Sequence, residues 1–278
     1  MPIVRPMFRN TLLALLLSFA VLAHGTSVAI AQDFSKIVQL EVIEGWRTTR
    51  GTHMAGLHVR LAKGWKTYWR TPGEAGIPPR FSWGASRNLG AVALHWPTPE
   101  VFSTYGMRTI GYGGDVVIPM EFTPRRDGKE IHLRAELEIG VCDDICVPVQ
   151  MSLRATLPAN ASARPANLVA ALKARPGSAK AAGVGAVTCT LSPIDDGLRL
   201  TAVIDLPRTG AREVAVIELE GQPVWVSEAT STRKGRLLTA VADIVPTGSA
   251  PFAMDRSDVR FTIIGSKRAV DIRGCSGR

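Results

Sequence analysis

The chain has 278 residues, 46% of them hydrophobic and 21% charged, with a formal net charge of +9. Basic residues such as Arg47, Arg50, Arg70, Arg80, Arg125 and Arg126 are scattered instead of forming one tract, which reads as solvated surface and argues against nucleic-acid binding. The length suits two compact domains, each with its own apolar core.

The first thirty-one residues divide into a basic start with Arg5 and Arg9, a largely apolar run from Thr11 to Ala23, and a small-residue stretch ending Ala29-Ile30-Ala31. This is the three-part layout of a secretory signal peptide. The apolar run is about 13 residues, whereas a helix crossing the bilayer core needs roughly 20. A cut before Gln32 is expected, leaving 247 residues with a net charge of +7, since the segment removes two arginines and no acids. The expectation is a soluble chain exported to the periplasm, with four cysteines in an oxidising compartment.

From Lys36 to about Leu157, short stretches alternate apolar and polar residues, as in Val38-Gln39-Leu40-Glu41-Val42 and His132-Leu133-Arg134-Ala135-Glu136-Leu137-Glu138-Ile139. Alternation at period two buries one face of a strand. Turn residues fall between these stretches at Lys63-Gly64, Thr71-Pro72-Gly73, Pro78-Pro79, Gly111 to Gly114 and Arg126-Asp127-Gly128-Lys129. An antiparallel β-sandwich over residues 32–158 is expected.

Two cysteines close this domain, in Gly140-Val141-Cys142-Asp143-Asp144-Ile145-Cys146-Val147-Pro148. On one straight strand they would stand about 13 Å apart, too far for a disulfide, so a bond between them requires the chain to turn at the aspartates. A disulfide across so short a loop stabilises little by loop entropy, which favours an exchange role over a staple. The neighbouring carboxylates disfavour the thiolate, so a partner would have to supply the activating environment. A structural hairpin disulfide and a metal site are the alternatives. His53, His58, His95 and His132 lack the paired spacing of a zinc site, and Met54, Met107, Met120 and Met151 form no soft-ligand cluster, so neither a metal nor another cofactor is expected.

Residues 159–182 are rich in Ala, Pro and Ser, and Ala166 to Lys173 reads as a short helix in a connection. Alternation resumes in residues 183–278, at Leu198 to Val203, Glu213 to Ile217, Val224 to Val226 and Val259 to Ile264, giving an expected second, smaller β-sandwich. Four cysteines allow three pairings, and proximity favours Cys142–Cys146 and Cys189–Cys275. The second bond would span about 86 residues, contribute about 4–5 kcal/mol on the entropic view, and act as a structural tie.

Four motifs in order, Gly64 to Pro78 (GWKTYWRTPGEAGIP), His95 to Pro99 (HWPTP), Gly111 to Gly114 (GYGG) and Cys142 to Pro148 (CDDICVP), resemble the periplasmic N-terminal domain of the thiol:disulfide interchange protein DsbD family, in its ScsB-like branch. The resemblance runs from about Ile37 to Leu157. It implies an immunoglobulin-like sandwich whose redox pair is Cys142 and Cys146. It also implies a cap loop near Phe102 to Gly106, with Phe102 and Tyr105 as shielding rings. Trp65, Tyr68 and Trp69 are expected in the core.

The implied function is thiol–disulfide exchange, passing electrons from a thioredoxin-like or DsbD-type membrane donor to a periplasmic disulfide-containing client, in a setting of cytochrome c biogenesis or copper tolerance. Any membrane association would come through those partners. The sequence lacks the transporter and thioredoxin-like domains of full-length members, so either separate proteins supply the electrons or the domain serves another task. A non-catalytic binding or assembly role with structural disulfides is the alternative.

Overall fold

The computed structural model describes residues 34–104, 106–248 and 254–277. The expected export signal lies outside the described residues, as does Tyr105. Among the described residues no helix is long and apolar enough to cross a membrane.

Ten strands form a first sandwich: β1 (Val38–Arg47), β2 (His53–Leu61), β3 (Lys66–Tyr68), β4 (Arg80–Ser82), β5 (Leu89–Leu94), β6 (Glu100–Thr104), β7 (Met107–Gly113), β8 (Val116–Pro124), β9 (Ile131–Cys142) and β10 (Cys146–Leu157). One sheet has the order β1-β2-β8-β5, the other β10-β9-β3-β7-β6, with β4 also on β9. The pleat sorts the residues between core and solvent. Odd-numbered β9 residues from Ile131 to Val141 are buried, while Arg134 and Glu136 between them are exposed. The facing sheet supplies Leu57, Ile118, Met120 and Phe122. Burial of each large apolar side chain is worth roughly 1.5–3 kcal/mol, so this register resists a one-residue slip that would turn every such chain outward.

Helix α1 (Ala166–Lys173) covers the outer face of the β1-β2-β8 layer. Leu168 is fully buried against Trp46 and Met54. Gly45 and Gly56 make that approach possible, because a Cβ on either would stand 3.0 or 3.1 Å from a Leu168 methyl. The connecting segment is therefore laid along the first sandwich, with Arg47 N–H also donating to the Ala161 carbonyl at 2.8 Å.

A second sandwich follows, made of β11 (Gly177–Ser178), β12 (Val187–Ile194), β13 (Gly197–Asp205), β14 (Val214–Leu219), β15 (Val224–Val226), β16 (Thr230–Lys234), β17 (Leu237–Pro246), β18 (Val259–Ile264), β19 (Ala269–Arg273) and β20 (Ser276–Gly277). Helix α2 (Ala179–Ala182) follows β11; Ser178 caps its start, accepting from Ala181 N–H at 3.3 Å. The sheets have the orders β11-β19-β18-β14 and β15-β17-β13-β12-β20, with β16 also on β17. Their core holds Leu200, Ile204, Ala240, Phe261, Ile263 and Val270.

Candidate functional site

Strands β9 and β10 pair residue for residue, from Ile131 opposite Leu157 to Cys142 opposite Cys146. Only Asp143, Asp144 and Ile145 remain to join them. Side chains directly opposed on an antiparallel pair share a face and lie within about 5.5 Å at Cβ, so the hairpin itself brings the sulfurs together. A disulfide joins Cys142 and Cys146, with Cα atoms 4.2 Å apart.

Cys142 is even-numbered on β9 and so belongs to the outer stripe of His132, Arg134, Glu136, Glu138 and Gly140. The site is the end of a polar face, where Glu136 accepts the Ser152 hydroxyl hydrogen bond at 2.9 and 3.0 Å. The two sulfurs meet different surroundings. Cys142 is 2% exposed, whereas Cys146 lies in the exposed class.

Much of the cover over Cys142 comes from β3. Lys66 pairs with Cys142 across the β3–β9 ladder, and Tyr68, two residues on, projects from the same face. Its hydroxyl oxygen lies 2.6 Å from Cys142 Sγ and 3.0 Å from Cys146 Sγ. Disulfide sulfurs carry no hydrogen, so the tyrosine O–H donates. Burial pushes the Tyr68 phenol above its usual range, which keeps that proton in place. The ring fits because residue 140 is glycine. A Cβ there would stand 2.8 Å from Tyr68 Cδ2 and 2.6 Å from Ile77 Cβ.

Phe102 stands farther along the same layer. Its ring reaches across β7, against Gly113, to lie 5.0 Å from Lys66 Nζ. Lys66 is the cross-strand neighbour of Cys142, so Phe102 flanks the site with two strands, β3 and β7, between its own strand and β9. The aromatic group on the sulfurs is Tyr68, which sequence reasoning assigned to the core together with Trp65 and Trp69. Trp69 is fully buried and Trp65 half-buried. Asp143 and Asp144 are exposed beside Ile145, which is 73% exposed at the hairpin tip. Water weakens the effect of those carboxylates on the sulfurs.

A cavity of about 480 Å³ opens elsewhere, between residues 70–78 and the second sandwich, with Arg70, Arg108, Val216 and Trp225 in its lining. The sulfurs do not line it. The disulfide meets the surface at Cys146, an arrangement open to a macromolecular thiol.

The other two cysteines are also joined. Cys189 on β12 bonds to Cys275 beyond β19, with Cα atoms 5.7 Å apart and a sequence separation of 86. Cys189 is 1% exposed in the second core. Its partner Cys275 is half-buried, where Cys146 is exposed.

Residues 37–158 match the family model of the N-terminal region of the thiol:disulfide interchange protein DsbD. Among solved structures, the N-terminal periplasmic domain of ScsB from Proteus mirabilis is similar in fold, with a TM-score of 0.66 at 23% identity, covering 90% of this chain and 97% of that one. No curated protein matches the chain in sequence. The architecture is all-β and immunoglobulin-like in two domains.

Proposed function

We propose, on the premise that residues 37–158 belong to the family of DsbD N-terminal domains, that the protein is a periplasmic thiol–disulfide exchange module working between a thioredoxin-like or membrane-bound donor and a disulfide-containing client. One observation carries the reading: the Cys142–Cys146 bond joins an exposed residue, Cys146, to a buried one, Cys142, with the proton-bearing phenol of Tyr68 nearer the buried sulfur.

That asymmetry assigns roles. A donor thiolate reaches Cys146 Sγ, a new S–S bond forms to it, and the Cys142–Cys146 bond breaks with its electron pair leaving on Cys142. Tyr68 already donates to Cys142 Sγ, and a hydrogen bond to a thiolate is stronger than one to a neutral sulfur. The phenol therefore stabilises the leaving group more than the starting bond. The donor's second thiol then attacks the mixed disulfide and releases Cys146. The donor is oxidised to its own disulfide, and Cys142 and Cys146 gain two electrons and, as thiols, two protons. Toward the client the sequence reverses, with Cys146 attacking and Cys142 resolving.

Trapping tests this order. In Cys142→Ala, a complex formed at Cys146 has no internal resolving thiol, so periplasmic extracts run without reductant should contain a covalent adduct that dithiothreitol dissolves. Cys146→Ala should yield far less, since Cys142 is buried. If neither variant captures a partner, the disulfide is structural and the exchange reading fails.

A further inference from the structure

Tyr68 is positioned from both sides. Gly140 leaves room beneath its ring, and the chain that follows fixes its backbone. Trp69 N–H donates to the Ile110 carbonyl at 3.0 Å, and Ile110 N–H donates to the Pro72 carbonyl at 2.9 Å, so the segment after Tyr68 is fastened to β7 at two points. Between those points the side chains of Arg70 and Thr71 reach the second sandwich.

Arg70 Nε and Nη2 donate to the two carboxylate oxygens of Glu218, each at 2.8 Å. The Thr71 hydroxyl donates to the same carboxylate. Arg70 Nη2 also lies 3.3 Å from Thr262 Oγ1, and the guanidinium stacks 3.9 Å over the Trp69 ring. The Arg70 and Glu218 side chains are only 15% and 10% exposed. A second pair, Arg108 with Glu228 at 2.7 Å, closes the far side of the loop beside Gly73.

We infer that Glu218 is a positioning residue for the redox site: the second sandwich, through the Glu218 grip on Arg70 and Thr71, holds Tyr68 on the Cys142 sulfur. The argument is geometric. An exposed ion pair contributes little and tolerates many arrangements. This pair is two-pronged, largely out of water, and shares its carboxylate with a third donor, which restricts it to one arrangement. It lies two residues from Tyr68, whose hydroxyl contacts weaken over a few tenths of an ångström. The grip is also on the chain leaving β3, the short strand that pairs with Cys142. Release at Arg70 is thus transmitted to Tyr68 through a single peptide-linked residue, Trp69.

The inference rests on the exchange reading, and the probe is chosen to separate the two. Dithiothreitol, a small dithiol needing no docking surface, reports the local chemistry of the Cys142–Cys146 bond. Exchange with a thioredoxin-like protein reports the function. With dithiothreitol, Glu218→Gln should be reduced about tenfold more slowly than the wild type, with the Cys189–Cys275 bond intact and the circular dichroism unchanged. Arg70→Lys keeps the charge but loses the two-pronged geometry, and should behave alike; it carries the same test if Glu218→Gln does not fold. In a Tyr68→Phe background, Glu218→Gln should add nothing further. Wild-type rates for the folded variants, or an equal slowing with and without the Tyr68 hydroxyl, would overturn the inference. A wild type that reacts with dithiothreitol but not with a thioredoxin-like protein would instead count against the function.

Discussion

A methyl group on residue 140 would meet Ile77 and the Tyr68 ring at once, at 2.6 and 2.8 Å. Both neighbours are side chains on a packed surface, so Gly140→Ala should lower stability by about 1–3 kcal/mol, as overpacking does. A urea midpoint that falls with an unchanged slope would record it, and the same variant should slow reduction of the Cys142–Cys146 bond. An unaltered midpoint would mean that the ring and Ile77 move aside freely. Cys142 and Cys146 were legible in the sequence, since their spacing and the turn residues between them describe a hairpin. Tyr68 was not, because in Trp65-Lys66-Thr67-Tyr68-Trp69 an aromatic run reads as core. The signal that could have found it is alternation: Tyr68 shares a face with Lys66, and Lys66 faces Cys142. That last pairing joins residues 76 apart and is set by sheet order, which local pattern does not contain.

At the scale of elements, β2 begins with a histidine turned into the core. His53 is fully buried opposite Phe122, with neither ring nitrogen in hydrogen-bonding geometry. Burial, then the charge of Arg47, lowers its pKa to about 4, against a smaller opposing pull from the Pro158 carbonyl. The unfolded chain takes up a proton near pH 6.5 while the folded one does not, so stability is full above pH 6.5 and declines as pH falls toward 4. The loss across that window should be about 2–3 kcal/mol. Urea unfolding at pH 7.5 and 5 should show it, and His53→Leu should remove most of the difference. Equal pH dependence in the two proteins would contradict the assignment. The strands themselves were readable from alternation, and the short helix from its composition. The seating of α1 on Trp46 and Met54 was not, because it depends on Gly45 and Gly56, whose absent side chains carry meaning only once the helix is placed over them.

For the molecule as a whole, the two disulfides each bury one cysteine and differ in the other, Cys146 being exposed and Cys275 half-buried. Graded reduction followed by alkylation and mass spectrometry should label Cys142 and Cys146 first, leaving Cys189–Cys275 intact while the protein stays folded. Labelling of all four together in the folded state would refute the division. Replacing Cys189 and Cys275 should remove about 4–5 kcal/mol, given the 86-residue separation. Proximity in sequence was enough to favour both pairings. It could not have revealed that Glu218 reaches Arg70, a contact between residues 148 apart. The Cys189–Cys275 bond has one more consequence, for a molecule under tension. A load entering beyond Cys275 crosses to β12 through sulfur, bypassing β13 to β19. The enclosed chain, with a sequence separation of 86, could otherwise pay out about 300 Å of slack at roughly 3.6 Å per step. With the bond closed, most of the second sandwich is shielded from the force.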